Sequence, residues 1–166
     1  MLKSIIENYV RKTRNPNFKF DESINSTILF SFTIDKVIAL IRGVRFFHPS
    51  NFKKKIFLGK NVKIFNKKNI SIGNNVNIGD YVKLYSLGRK KLILGDNVNI
   101  GSFSQIMTSI SLDNIGEFIE IGNNVGISNC TLVAHEKIVI EDNVLLGGSV
   151  KIYDTDFHWV DYEARM

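Results

Sequence analysis

After residue 56 the chain alternates aliphatic and polar residues with a sixfold period, and asparagine or glycine lies between the aliphatic positions. A ten-residue phrase carries this pattern five times, beginning at residues 56, 70, 92, 119 and 138. Every copy contains an Asn-Val pair, as in Asn75-Val76. Alternating residues such as Ile70 and Ile72 predict short strands with one face inward. The asparagines and glycines that follow tolerate positive φ and predict a tight turn after each strand.

The distances between copies predict a three-sided solenoid. Three sixfold steps make eighteen residues, and the last three copies start 22, 27 and 19 residues after the copy before. The extra residues fall after the third sixfold position, within 86–91, 108–117 and 134–137, which places every insertion at one corner. In the fourth copy the sixfold series is Ile121, Ile127 and Val133. The first step is only 14 residues, so we expect the coil that starts at Ile56 to be incomplete.

Stacking of these coils would bury the aliphatic residues that no single coil can bury alone. The alternative is an antiparallel β-protein with Asn-Gly-type turns, but hairpins do not repeat a spacing of six so strictly. The sequence therefore predicts an all-β solenoid over residues 53–166.

Residues 1–52 have a different pattern and predict a helical N-terminal cap region. A short helix is expected over residues 2–12, and a second helix is expected from a cap at residues 25–27 to Phe46. The apolar run 28–41 contains Asp35 and Lys36, so it is too short and too charged for a transmembrane helix. The second helix is expected either to pack over the open end of the solenoid or to lie on a membrane surface.

Two short phrases in the repeat region resemble a known family. Ile-Gly-Asn-Asn-Val-Asn at 72–77 and Ile-Gly-Asp-Tyr-Val-Lys at 78–83 resemble the repeats of the hexapeptide-repeat acyltransferases, which fold as left-handed parallel β-helices. Ile-Tyr-Asp-Thr-Asp-Phe-His at 152–158 is similar to the segment with the catalytic histidine in bacterial sugar O-acetyltransferases of surface polysaccharide synthesis (O-antigen, capsule or colanic acid type). The resemblance implies a homotrimer with active sites at subunit junctions, acetyl-CoA as co-substrate and a sugar, nucleotide-linked or lipid-linked, as acceptor.

The catalytic base that the resemblance implies is His158, one of three histidines in the chain. An imidazole that titrates near neutral pH can take a proton from the acceptor hydroxyl and return it to the departing thiolate. His48 is expected in an exposed loop and His135 in a surface turn where the insertions occur.

Four further residues are candidates for binding the substrate. Asn129 is similar in position to an asparagine of galactoside- and maltose-type acetyltransferases. In those enzymes the asparagine contacts the acceptor or the donor near the histidine of a neighbouring subunit. Alternatively, Asn129 is an asparagine that only forms a turn at a corner of the solenoid. Asp154 and Asp156 are expected to orient His158 or hold the acceptor, or else to be solvated loop acids, and Trp159 is expected to wall the acceptor pocket.

The chain departs from the family pattern after the histidine. The family continues with further coils that hold coenzyme A, whereas this sequence stops at Met166, so donor-binding residues cannot be assigned and a C-terminally truncated chain is expected. Other functions left open are N-acetylation of an amino sugar and a non-catalytic assembly module. A zinc enzyme of the carbonic anhydrase type needs three histidine ligands, which these dispersed histidines do not offer, and no metal is expected.

Composition is consistent with this interpretation. Lysine and arginine outnumber aspartate and glutamate by 22 to 16, and the basic residues cluster, for example at 53–55 and 89–91. Such clusters indicate acidic partners, namely coenzyme A, nucleotide or lipid phosphates or an anionic membrane surface, or else solvated surface. No motif for reading nucleic acid is present. The single cysteine, Cys130, is expected to be buried, and its solitary occurrence fits a cytoplasmic protein, with an expected peripheral contact at the inner face of the membrane.

Overall fold

The computed structural model describes residues 2–13, 15–47, 53–108, 112 and 115–154. Two compact units divide the chain, Met1–Ile38 and Ala39–Met166. The helices are α1 (Leu2–Thr13) and α2 (Ser26–Phe47). The strands are β1 Phe57–Leu58, β2 Lys63–Phe65, β3 Ile70–Ile72, β4 Asn77–Ile78, β5 Lys83–Tyr85, β6 Leu92–Leu94, β7 Asn99–Ile100, β8 Gln105–Met107, β9 Phe118–Ile121, β10 Gly126–Ile127, β11 Thr131–Ala134, β12 Lys137–Ile140, β13 Leu145–Leu146 and β14 Lys151–Asp154.

The first unit contains α1, a connecting segment and the beginning of α2. The side-chain oxygen of Asn25 accepts a hydrogen bond from the backbone N–H of Ile28 at 2.9 Å, which caps the N-terminus of α2 as the sequence predicted. Glu7 on α1 accepts from the backbone N–H of Phe20 at 2.9 Å, and Arg11 donates to the Phe18 carbonyl at 2.7 Å. These bonds tie the connecting segment to α1.

Parallel strands in the second unit form a β-solenoid, which confirms the predicted fold class. In the described residues the strands lie in three sheets: sheet A has the order β1-β4-β7-β10-β13, sheet B has β14-β11-β8-β5-β2, and sheet C has β12-β9-β6-β3. The chain passes from sheet C to A to B in each coil. All the extra residues lie between sheets B and C, so the prediction that insertions share one corner is confirmed.

The core consists of aliphatic columns that run from coil to coil. In sheet A, Ile78 pairs in register with Ile100, and Ile100 with Ile127; all three are at most 1% exposed. Such residues recur every six positions because each side of the prism contributes one inward column. The burial of this column therefore explains the sixfold period.

One assignment in the sheet B column was wrong. Ile106 stacks on Leu132, whereas Val133 pairs with Met107. The turn before β11 is one residue shorter than the corresponding turns of the earlier coils, because Leu132 follows Ile127 by five positions instead of six. A shorter turn changes the inward residue without interrupting the ladder, and both Leu132 and Val133 are buried.

The first copy of the phrase occupies a different side of the prism from the other copies. Phe57 pairs with Asn77 and Lys63 with Lys83, so this copy supplies strands of sheets A and B. Asn61 therefore lies at the corner occupied by Tyr81 in the next coil, and not at the corner of the other Asn-Val pairs. The expectation of an incomplete first coil is confirmed, since the described strand of sheet C that comes first in the chain is β3.

The corner between sheets C and A is built from stacked asparagines in the left-handed conformation. Asn75, Asn97, Asn124 and Asn143 have φ of 55°, 57°, 57° and 64°. The side-chain amides of the first three donate to the amide oxygen of the asparagine in the next coil, at 2.9, 3.0 and 3.0 Å. Asparagine suits this position because it tolerates positive φ and can extend a hydrogen-bonded ladder.

The last turns of α2, which belong to the second unit, pack against the first coil. Arg42 donates to the Leu58 carbonyl at 2.8 Å, and Phe47 packs against the aliphatic core. Gly43 lies so close to the Ile56 carbonyl that an added Cβ would be 2.0 Å from its oxygen. Neither α1 nor α2, as far as they are described, has an apolar stretch long enough to cross a membrane.

Candidate functional site

The structure describes two of the five residues that the sequence proposed for the site. Asn129 and Asp154 are described, whereas His158, Asp156 and Trp159 lie outside the described residues, as does His48. The two described residues indicate how the scaffold presents the site.

Asn129 lies at the corner between sheets A and B, in the turn shortened by one residue. Its φ of 49° places it in the left-handed column that also contains Tyr81, Phe103 and Ser149. The Asn129 carbonyl accepts a hydrogen bond from Ser149 N–H at 3.2 Å, which continues the ladder between coils. The exposed side-chain amide makes no hydrogen bond to any described residue. The backbone of Asn129 is thus structural, and its amide is available to a ligand.

Asp154 is the last residue of β14 and therefore belongs to a strand. The alternative expectation, that it is a solvated acid in a loop, is wrong. Its Oδ2 accepts from the backbone N–H of Glu136 at 2.9 Å and of Lys137 at 2.5 Å. The Asp154 carbonyl accepts from His135 N–H at 3.0 Å. Asp154 therefore fixes the turn between β11 and β12, and it brings the chain to the corner between sheets B and C just before the segment that contains His158.

Asn129 and Asp154 lie at opposite ends of one face of the solenoid. Asp154 pairs with Ala134, the final residue of β11, while Asn129 precedes the first residue of that strand by two positions. Five residues of extended strand correspond to roughly 16 Å. Within one chain, Asn129 and Asp154 therefore do not form a single compact site.

A cavity of about 490 Å³ lies at the corner between sheets B and C. Its wall includes Arg89, Lys90, Glu117 and His135, together with Lys137, whose backbone is held by Asp154. The insertions form this wall by continuing the ladder between coils. Lys90 N–H donates to the Glu117 carbonyl at 3.0 Å, and Glu117 N–H donates to the His135 carbonyl at 3.1 Å.

The charges in this cavity are partly paired. Glu117 accepts from Arg89 and from Lys90, both at 3.4 Å, and the Lys90 ammonium lies 5.3 Å from the centroid of the Phe118 ring. Lys137 makes no ion pair with a described residue. A cleft with cationic groups, one imidazole and an aromatic wall suits an anionic ligand with a ring or an apolar part.

The sequence reasoning did not find this cavity. His135 was expected in a surface turn, and the structure shows it half-buried in the cavity wall. The sequence signals were the basic cluster at 89–91 and the fact that all insertions share one corner. Cys130, by contrast, is buried as predicted, with its sulfur 3.2 Å from the Gly147 carbonyl oxygen.

Among the described residues no cluster of histidine, cysteine, aspartate and glutamate has the arrangement of a metal site. No protein-family model, curated protein or solved structure matches this chain.

Proposed function

We propose that the protein is a coenzyme A-dependent O-acetyltransferase that acetylates a sugar hydroxyl in the synthesis of a surface polysaccharide. The observation that carries the proposal is the parallel solenoid whose last described strand, β14, leads directly into the segment with His158. This architecture, built from sixfold repeats, agrees with the resemblance to the hexapeptide-repeat acyltransferases, and the proposal takes its winding to be left-handed as in that family. A cytoplasmic location follows from the use of acetyl-CoA.

The reaction assigned to His158 is a balanced acyl transfer. The imidazole takes the proton of the sugar hydroxyl while the oxygen attacks the thioester carbonyl. Collapse of the tetrahedral intermediate breaks the C–S bond, and the thiolate receives the proton from the imidazolium. The products are the acetyl ester of the sugar and free coenzyme A, with no net change at the histidine. Asn129 serves in this proposal to bind the acceptor or donor, and Asp156 and Trp159 to shape the acceptor site.

A homotrimer with sites at subunit junctions is part of the proposal. Its support is the position of Asn129 and Asp154 at opposite ends of sheet B. Three residues lie between Asp154 and His158, so their Cα atoms are at most about 14 Å apart. Junctions between copies would bring one end of sheet B on one protomer to the other end on its neighbour, which is how a cyclic assembly with heterologous interfaces completes a site.

A peripheral membrane contact through α2 fits an acceptor attached to a lipid. Phe30, Ile34 and Val37 follow one another at spacings of four and three, so they share one helix face, and all are at least 40% exposed. An apolar face of this kind can lie in the interfacial region of a bilayer.

The test measures release of free coenzyme A from acetyl-CoA with a panel of nucleotide- and lipid-linked sugars. Wild-type protein is expected to acetylate one class of sugar, and His158→Ala is expected to lower kcat by about 100-fold or more. Loss of the side-chain amide in Asn129→Ala is expected to act mainly on KM. Thermal unfolding should occur at a slightly lower temperature, because alanine tolerates the φ of 49° less well than asparagine. Identical turnover in His158→Ala and wild type would overturn the proposal and favour a non-catalytic assembly module. Acetylation restricted to amino sugars would favour N-transfer.

Mixing two impaired variants tests the junction, with activity assayed at an acceptor concentration well below KM, where each variant alone turns over little substrate. In a trimer assembled at random from equal amounts of His158→Ala and Asn129→Ala chains, about a quarter of the junctions contain both native residues. Activity should therefore return to about a quarter of the wild-type level. If both residues act within one protomer, mixing restores nothing, whatever the reaction.

A further inference from the structure

In the described residues, the incomplete first coil contributes strands to sheets A and B but none to sheet C. Strand β3 begins sheet C in the described chain, and a cavity of about 320 Å³ lies against all three of its residues. Nine described residues line this cavity, of which four are lysines, Lys54, Lys67, Lys68 and Lys91, and none is acidic. We call it the lysine cavity. It is distinct in its lining from the cavity beside His135.

Two of the four ammonium groups are fixed by hydrogen bonds to backbone carbonyls. Lys54 Nζ donates to the Ile72 carbonyl at 3.0 Å, and Lys67 Nζ donates to the Phe46 carbonyl at 2.6 Å. Lys67 Nζ also lies 4.8 Å from the centroid of the Phe46 ring. These contacts hold two positive charges at the cavity, whose described lining residues include no carboxylate; the Asp96 carboxylate, outside this lining, interacts with Lys54.

The other two ammonium groups have no partner in the described chain. Lys68 and Lys91 are exposed, and neither makes a hydrogen bond or an ion pair to a described residue. Like charges around a concave surface repel one another and concentrate a positive potential within it. An anion bound among the lysine ammonium groups removes that repulsion. The cavity therefore favours a ligand with several negative charges.

We propose that the lysine cavity binds the diphosphate group of a phosphorylated ligand. An ammonium has three N–H donors, so Lys54 and Lys67 each keep two after their backbone bonds, and Lys68 and Lys91 keep three. A single phosphate, with at most two negative charges, leaves about half of the lysine charge unneutralised, whereas a diphosphate monoester has three negative charges and enough oxygens to contact all four ammonium groups.

Apart from Ser71, the other residues that line the cavity are apolar. Phe47 and Ile70 are half-buried, Ile56 is buried, and all three line the cavity. An apolar wall beside a cationic one suits a ligand that joins a diphosphate to a carbon skeleton, such as a nucleoside diphosphate or a prenyl diphosphate. The site requires neither acetyl transfer nor His158, so it stands apart from the proposed function.

The experiment is a calorimetric titration of the full chain with inorganic pyrophosphate, orthophosphate, ADP and farnesyl diphosphate at low ionic strength. Lys68→Gln and Lys91→Gln remove the two unpaired charges and keep the length of the side chain. The matched control is Lys63→Gln, an exposed lysine of the same incomplete coil on sheet B. Pyrophosphate should bind saturably, and the double variant should bind it at least about tenfold more weakly. The control should change the dissociation constant less than about twofold.

The four ligands separate the sources of the diphosphate. Tighter binding of ADP assigns a nucleotide, and tighter binding of farnesyl diphosphate assigns a lipid; either result supports the site if Lys68→Gln and Lys91→Gln weaken it. Orthophosphate that binds as tightly as pyrophosphate would contradict the diphosphate assignment. Absence of saturable binding for all four, or equal weakening by Lys63→Gln, would overturn the site altogether. Thermal unfolding of each variant should match wild type, since these lysines make no contact that supports the core.

Discussion

Replacing Ile106 by alanine tests whether stacking between coils stabilises the solenoid. Ile106 lies in the sheet B column between Leu84 and Leu132, and all three are 0% exposed. The change removes three buried carbons, which at about 0.8 kcal/mol each contribute roughly 2.4 kcal/mol of lost transfer free energy. The cavity left among neighbours in adjacent coils adds to this, so the expected loss in unfolding free energy is about 3–4 kcal/mol.

The matched variants are Ile152→Ala and Ile93→Ala. Ile152 belongs to the same column but lies on β14, the edge strand of sheet B in the described chain, and is only half-buried. Its replacement should cost about half as much or less. Ile93 points outward from sheet C and is 37% exposed, so its replacement should cost well under 1 kcal/mol.

The assay is reversible urea unfolding followed by circular dichroism, with thermal melting in parallel. The second unit has 128 residues (39 to 166), and at about 2.1 cal/mol/K per residue each 1 kcal/mol lowers the melting temperature by roughly 4 °C. Ile106→Ala should therefore melt about 11–15 °C lower. Because repeat arrays can unfold in parts, the urea slope must match wild type for the comparison to hold. Equal losses in Ile106→Ala and Ile93→Ala would refute the stacked column.

Two further predictions concern backbone packing and pH. Gly43→Ala should lower the melting temperature, because the added Cβ would be 2.0 Å from the Ile56 carbonyl oxygen. The control Gly147→Ala should leave the melting temperature nearly unchanged, because its added Cβ would have no atom within 4 Å. Equal effects of the two variants would contradict the packing of α2 on the first coil. Hydrogen bonds from the backbone and then the side chain of Asn74 lower the pKa of Asp96 below 3.8. The ionised Asp96 carboxylate therefore stabilises the folded state at pH values above its unfolded pKa of 3.8. This stabilisation is lost as the pH falls through the lower pKa of the folded state. Asp96→Asn, which keeps an acceptor but does not titrate, should show a smaller decline in melting temperature between pH 5 and 2, and an unchanged decline would count against this carboxylate.

Some site positions could be read from the chain and others could not. The corner at which insertions collect followed from spacing alone, because extra residues leave the inward sixfold positions in phase on both sides. The cavity at that corner did not follow, since it depends on how 86–91, 115–117 and 135–137 meet across three coils. Likewise the bonds from Asp154 to the turn at Glu136 depend on the register of β14 against β11.

By itself, the sequence determined the solenoid, its three sides and its incomplete beginning, because burying one aliphatic residue per side imposes a strict period on the chain. Only the tertiary structure decided which residue faces inward where a turn loses one position, so that Leu132 and not Val133 continues the column of Ile106. It also moved Asn61 to a different corner and placed Asn129 and Asp154 at opposite ends of one face. The period fixes contacts along the chain, whereas contacts between coils depend on the register of each strand against the next, which the spacing alone does not specify.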